Sequence, residues 1–143
     1  MGQAMNANGL PPELPVMAAL VESGLTNRRP GRDGSAGYFR LKTSIWNAGE
    51  YTGYPDHPEL QLLWFVRYAE QVRRFRLARG APDPKQSASR YGEWAADVIR
   101  PAASQRGRYQ RRLAQARQLL APMAAPAAPG TGAPAAAPAV PTP

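Results

Sequence analysis

Apolar residues recur at helical spacing along most of the chain. Leu14, Met17, Val21 and Leu25 fall at i, i+3, i+7 and i+11, a stripe that one face of a helix can bury. Pro11 and Pro12 are tolerated in a first turn, where the amide they lack has no intrahelical partner, and Gly24 is a natural stop. The pattern predicts a first helix of about three turns. A polar loop follows over residues 26–36 (TNRRPGRDGSA), then Gly37-Tyr38-Phe39 and a short helix around residues 43–48. Gly49, Gly53 and Pro55 interrupt regular structure as far as Pro58.

Asp56-His57-Pro58-Glu59 has the order of a capping box, in which the first side chain accepts from the amide of the fourth residue and the fourth reaches back. It is expected to open a long helix that ends near Arg79 and is closed by Gly80. Leu62, Phe65, Ala69 and Val72 form one stripe along it, widened by Trp64, Tyr68 and Phe75. So wide an apolar face predicts the central helix of the domain, with Trp64, Phe65 and Phe75 in the core. Tyr91, Trp94, Ala95, Val98 and Ile99 mark a further helix stopped by Pro101. Tyr109, Leu113, Ala116 and Leu120 mark the last, with Ser104 as its cap. No hairpin dipeptide separates two alternating strands and no repeat is visible, so the fold class is mainly α.

The ends differ in composition from this body. Residues 121–143 hold 10 Ala, 7 Pro and 2 Gly and carry no charge. They are expected to form a disordered linker or tail, able to join the chain to a larger assembly. Residues 1–8 are expected to be flexible, which leaves one domain over residues 9–120, a length that can bury an ordinary core.

Eighteen Lys and Arg face ten Asp and Glu, a net charge of +8. The excess is uneven: residues 1–66 hold 5 basic and 6 acidic groups, residues 67–120 hold 13 and 4. Such a chain expects an anionic partner: nucleic acid, a membrane surface or an anionic wall polymer. The absence of cysteine removes disulfides, thiol nucleophiles and thiolate metal sites, and the single histidine, His57, removes histidine-rich ones. Catalysis must then rest on carboxylates, hydroxyls, Tyr, Lys or backbone groups, with no metal and no cofactor expected. No apolar run reaches the roughly 18 residues of a membrane span. Residues 1–10 lack the basic and apolar regions of a secretory signal.

Glu22-Ser23-Gly24 closes the first helix, with Glu22 at the margin of the apolar stripe. A carboxyl there can be partly desolvated, which favours the protonated form that a general acid needs. The plainer reading is a solvated glutamate before a helix stop. In Arg32-Asp33-Gly34-Ser35, Asp33 reads first as a turn residue and second as a partner carboxylate for Glu22. Tyr38, Trp46, Tyr51, Tyr54 and Tyr91 lie in or near predicted loops and helix ends, where their rings could line a cleft. Tyr38 and Tyr91 are the stronger candidates.

The run PPELPVMAALVESGL, a polar loop and then GYFRL resembles the opening of lysozyme-like lytic transglycosylase domains, the soluble-transglycosylase and goose-type lysozyme superfamily. The resemblance covers about residues 10–120 and is carried by Glu22-Ser23 and Gly37-Tyr38-Phe39. It implies a lysozyme-like helical fold that cleaves the β-1,4 bond between N-acetylmuramic acid and N-acetylglucosamine in peptidoglycan. Glu22 would be the acid and then the base, helped by Ser23, while Gly37, Tyr38 and Phe39 would line the cleft. Arg40 stands where that superfamily has glutamine, which alters the hydrogen bonding at that point. The tyrosine expected late in the domain is Tyr91 or Tyr109. The resemblance places the protein at the bacterial cell wall, as a remodelling enzyme or as part of a phage tail or other delivery machine. It leaves open a hydrolase or an anhydro-forming transglycosylase.

Two other classes remain. One is a non-catalytic wall-binding or assembly module. The other is a nonspecific nucleic-acid binder that uses the arginines of residues 67–120. Nothing resembles a helix-turn-helix, RNP or zinc-finger signature, so no specific nucleic-acid partner is expected.

Overall fold

The computed structural model describes residues 9–124, a mainly α chain with one small antiparallel ladder. The helices are α1 (Glu13–Ser23), α2 (Thr43–Trp46), α3 (Pro58–Ala78), α4 (Tyr91–Ile99) and α5 (Leu113–Ala124), with short 3₁₀ turns in several connections. Strands β1 (Ser35–Ala36) and β2 (Leu41–Lys42) pair with Ser35 opposite Lys42 and Ala36 opposite Leu41. Sequence periodicity gives no sign of this hairpin, because two residues per strand are too few to show alternation. No described helix is long and apolar enough to cross a membrane.

The chain divides between Leu113 and Ala114 into two units, the second holding all of α5 but its first residue. Residues 1–8 and 125–143, where loose ends are expected, lie outside the described residues. The helix nevertheless runs past the expected start of the tail at residue 121, through Pro122 to Ala124. Proline inside a helix removes one amide donor and crowds the carbonyl four residues back, yet the helix continues two residues beyond it.

The central helix is α1, which corrects the assignment of that role to α3. Every residue from Leu14 to Leu20 is buried. A helix that is apolar on all sides must be enclosed on all sides, and LPVMAAL is such a run. Over its 21 residues α3 buries only Gln61, Trp64, Phe65 and Ala69. Its second half carries arginines, and Phe75 is 60% exposed there instead of lying in the core. The core gathers Leu14, Ala18 and Ala19 of α1, Trp64 and Phe65 of α3, and Trp94, Ala95 and Ala96 of α4, with Phe39, Tyr54 and Tyr109 from the connections. Trp94 Nε1 donates to the Ala69 carbonyl at 2.9 Å and ties α4 to α3.

Two expected caps are replaced. Asp56 belongs to a 3₁₀ turn, Tyr54–Asp56, and His57 takes the N-cap position of α3 without a side-chain cap bond. The turn ends one residue too late for Asp56 to face the first amides of α3. Glu59 instead sits 3.2 Å from His57 Nδ1. Ser104 lies inside a 3₁₀ run, Ala103–Arg108, and a second turn, Gln110–Arg112, delays the last helix to Leu113. Tyr109 falls between these two turns, where its side chain points into the core.

Candidate active site

Glu22 stands in the last turn of α1, which ends abruptly. Gly24 and Leu25 both take left-handed backbone, φ 67° and 63°, and their amides bond back to Leu20 and Ala19 at 3.2 and 3.1 Å. Gly24 adopts this freely, whereas Leu25 does so at a cost of about 1–2 kcal/mol that its packing must offset. Ser23 is 2% exposed. Its hydroxyl donates to the Ala19 carbonyl at 3.0 Å and accepts from the Thr26 amide at 3.2 Å, so it secures the turn beneath Glu22.

The half-buried Glu22 carboxylate meets a tyrosine. Tyr109 Oη donates to Glu22 Oε2 at 2.6 Å. The Tyr109 ring is fully buried. Burial first, and the bond to Glu22 second, push its ionisation well above the usual tyrosine range, so the phenol remains a donor at any physiological pH. Glu22 makes no ion pair with any described residue, whereas Asp33, Glu50, Asp83 and Asp97 each hold an arginine.

Of the two late tyrosines, Tyr109 is therefore the one at Glu22. Tyr91 opens α4, half-buried, with its ring edge-on to Trp94 at 6.5 Å. Gly92 sets the position of Tyr109. A β-carbon at residue 92 would lie 2.5 Å from Gln110 Cβ and 2.7 Å from its backbone, so only glycine lets this segment lie against α4. The Gly92 amide donates to Gln110 Oε1 at 2.6 Å, and Gln110 Nε2 donates to the Ala88 carbonyl at 3.1 Å. Sequence reasoning missed both residues. The available signal was a glycine inside an otherwise continuous helical pattern.

A second cluster surrounds Gly37-Tyr38-Phe39. Gly37 is buried with φ 90°, and a β-carbon there would lie 2.5 Å from Gln61 Oε1. Gln61 is 1% exposed and uses its whole amide. It accepts from the Tyr38 amide at 2.7 Å and donates to Asn27 Oδ1 at 3.1 Å and to the Tyr54 carbonyl at 2.9 Å. Asn27 Nδ2 donates in turn to the Pro55 carbonyl. One glutamine on α3 thus joins the loop after α1, the hairpin and the turn before α3. It too was missed, although a lone polar residue amid Leu60, Leu62 and Leu63 was its signal.

The remaining candidates separate into surface and core. Tyr38 is half-buried and lines a cavity of about 410 Å³ with Pro58, Glu59 and Leu62. Phe39 is 1% exposed and stacks on Phe65 at 4.9 Å, supporting this region from beneath. Tyr54 is buried with its hydroxyl donating to the Leu41 carbonyl at 2.6 Å, which removes it from the rings able to face a ligand. Trp46 and Tyr51 remain half-buried, edge-on to each other. Asp33 is bound into its own turn: Oδ1 accepts from the Ser35 amide and hydroxyl at 3.0 and 2.8 Å, and Oδ2 accepts from Arg40 at 3.0 Å. The Ser35 bonds foremost, with Arg40, hold its carboxyl at a pKa of about 2. Arg40 is thereby engaged on the exposed side of the hairpin. Among the described residues, no three His, Asp or Glu side chains converge as metal ligands would.

The chain matches no protein-family model, no curated protein and no solved structure. Its chemistry has to be argued from this geometry. A half-buried carboxylate free of ion pairs, held at one oxygen by a permanently neutral phenol, can exchange a proton through its other oxygen.

Proposed function

We propose that the chain is a peptidoglycan lytic transglycosylase that cleaves the MurNAc-β-1,4-GlcNAc bond with Glu22 as its only acid and base. The observation that carries this reading is the Tyr109–Glu22 hydrogen bond beneath the end of α1. Protonated Glu22 gives its proton to the glycosidic oxygen as the C1–O4 bond breaks. The resulting carboxylate takes the proton of the muramyl 6-hydroxyl as O6 bonds to C1. The product is a 1,6-anhydro ring, no water is consumed and Glu22 is again protonated. The tight occupation of Asp33 by Ser35 and Arg40 supports a one-carboxylate route over a pair.

In this reading Tyr109 orients the carboxyl and Ser23 fixes the turn that presents it. Gly37 and Phe39 shape the cleft wall, and Tyr38 offers a ring to the sugar. The partners are glycan strands of the bacterial wall.

Mass analysis of muropeptides released from purified peptidoglycan, by the wild type and by Glu22→Gln, tests the proposal. Anhydro-muropeptides from the wild type alone are expected. Reducing-end products would indicate a hydrolase, and no release from any wall type would leave a non-catalytic wall-binding module.

A further inference from the structure

A cavity of about 650 Å³ lies at the C-terminal ends of α3 and α4, and four arginines line it: Arg76, Arg79, Arg100 and Arg106. Asp97 is the one carboxylate among the lining residues. Both of its oxygens are taken, Oδ2 by Arg76 Nε at 2.8 Å and Oδ1 by Arg106 Nη2 at 2.5 Å. Arg76 also reaches Glu93 at 3.7 Å. The other two guanidiniums pair with no acid among the described residues. Arg100 is exposed on left-handed backbone, φ 58°, where α4 ends. Arg79 lies 4.9 Å above the ring of Phe75, the one mostly exposed aromatic ring described.

We propose that this cleft binds a phosphodiester polyanion of the polyol-phosphate kind. Asp97 locks Arg76 and Arg106 in place, so these two define the walls. Arg79 and Arg100 are left as two uncompensated, always-charged forks that donate bidentately to phosphate oxygens. A single carboxylate would satisfy one of them; a chain with a charge on every unit satisfies both. Phe75, Val72 and Pro101 supply apolar surface for the carbon segments between phosphates. Single-stranded nucleic acid is bound with successive ring faces. Here one ring is exposed, and one of its faces already carries Arg79. The choice of a wall polymer rests on the wall-acting reading above, and the cleft would hold the chain at the wall independently of Glu22.

The test is equilibrium binding of the full chain to poly(glycerol phosphate), with single-stranded DNA of equal phosphate number in parallel. Saturable binding to the polymer is expected. It should weaken at least tenfold in the Arg79→Gln, Arg100→Gln double variant and stay within twofold in Arg32→Gln, Arg90→Gln, which loses the same charge elsewhere. No saturable binding, or equal weakening in both double variants, overturns the site. Tighter binding of DNA, lost with Arg79 and Arg100, overturns the polyol-phosphate assignment in favour of nucleic acid. Muropeptide release separates the two proposals: binding without release defeats the enzyme reading alone, and release without binding defeats the cleft alone.

Discussion

The side-chain amide of Gln61 fills the space that a β-carbon on Gly37 would need, with Oε1 2.5 Å from that position. The glycine and the glutamine are thus a matched pair, one small enough and the other long enough to bring the Tyr38 amide onto Gln61.

Gly37→Ala is expected to destabilise the fold by about 2–4 kcal/mol, from overpacking together with the unfavourable positive φ. Gln61→Ala removes the clash but orphans buried groups. The cost of Gly37→Ala should therefore be smaller in the Gln61→Ala background than in the wild type. A double-mutant cycle by denaturant unfolding measures this coupling, and strict additivity would contradict it.

Tyr109→Phe removes the one hydrogen bond described at Glu22 and should cost about 1–2 kcal/mol of stability. Muropeptide release should fall at least tenfold while the far-ultraviolet circular dichroism is retained. Gly92→Ala should produce a comparable loss of release by another route, because its β-carbon displaces Gln110 and with it Tyr109. Unchanged release in both variants would detach Tyr109 from the chemistry.

Asp33 has a folded pKa of about 2 against an ordinary 3.8. A depressed carboxyl stabilises the fold above its unfolded pKa and loses that contribution as pH falls through the folded value. The difference in Tm between wild type and Asp33→Asn should hold constant from pH 7 to about 5 and narrow between about pH 4 and 2. A difference that does not change with pH would mean that the charge of Asp33 contributes nothing to stability.

Two buried tryptophans differ in their indole nitrogens. Trp94 Nε1 donates to Ala69, whereas Trp64 Nε1 is the buried side-chain polar atom with no partner among the described residues. Replacement by Phe removes a buried hydrogen bond, leaving the Ala69 carbonyl only its partner within α3, in one case and removes an unsatisfied donor in the other. Trp94→Phe should therefore cost at least about 1 kcal/mol more than Trp64→Phe in urea unfolding.

The amino-acid sequence by itself determined the helical class, the end of α1 at Glu22-Ser23-Gly24 and the turn role of Asp33. These depend on neighbours within a few residues: apolar periodicity, a glycine able to take left-handed backbone, and a side chain that bonds the amide two positions on. Only the tertiary structure decided which helix is central, which tyrosine meets Glu22 and what Gln61 does. Enclosure of α1 depends on what packs around it, and so does the exposure of Phe75 on α3. The Tyr109–Glu22 bond spans 87 residues and the Gln61–Asn27 bond 34. Contacts of that range arise when helices pack, and a glycine such as Gly92 shows its purpose only once Gln110 lies against it.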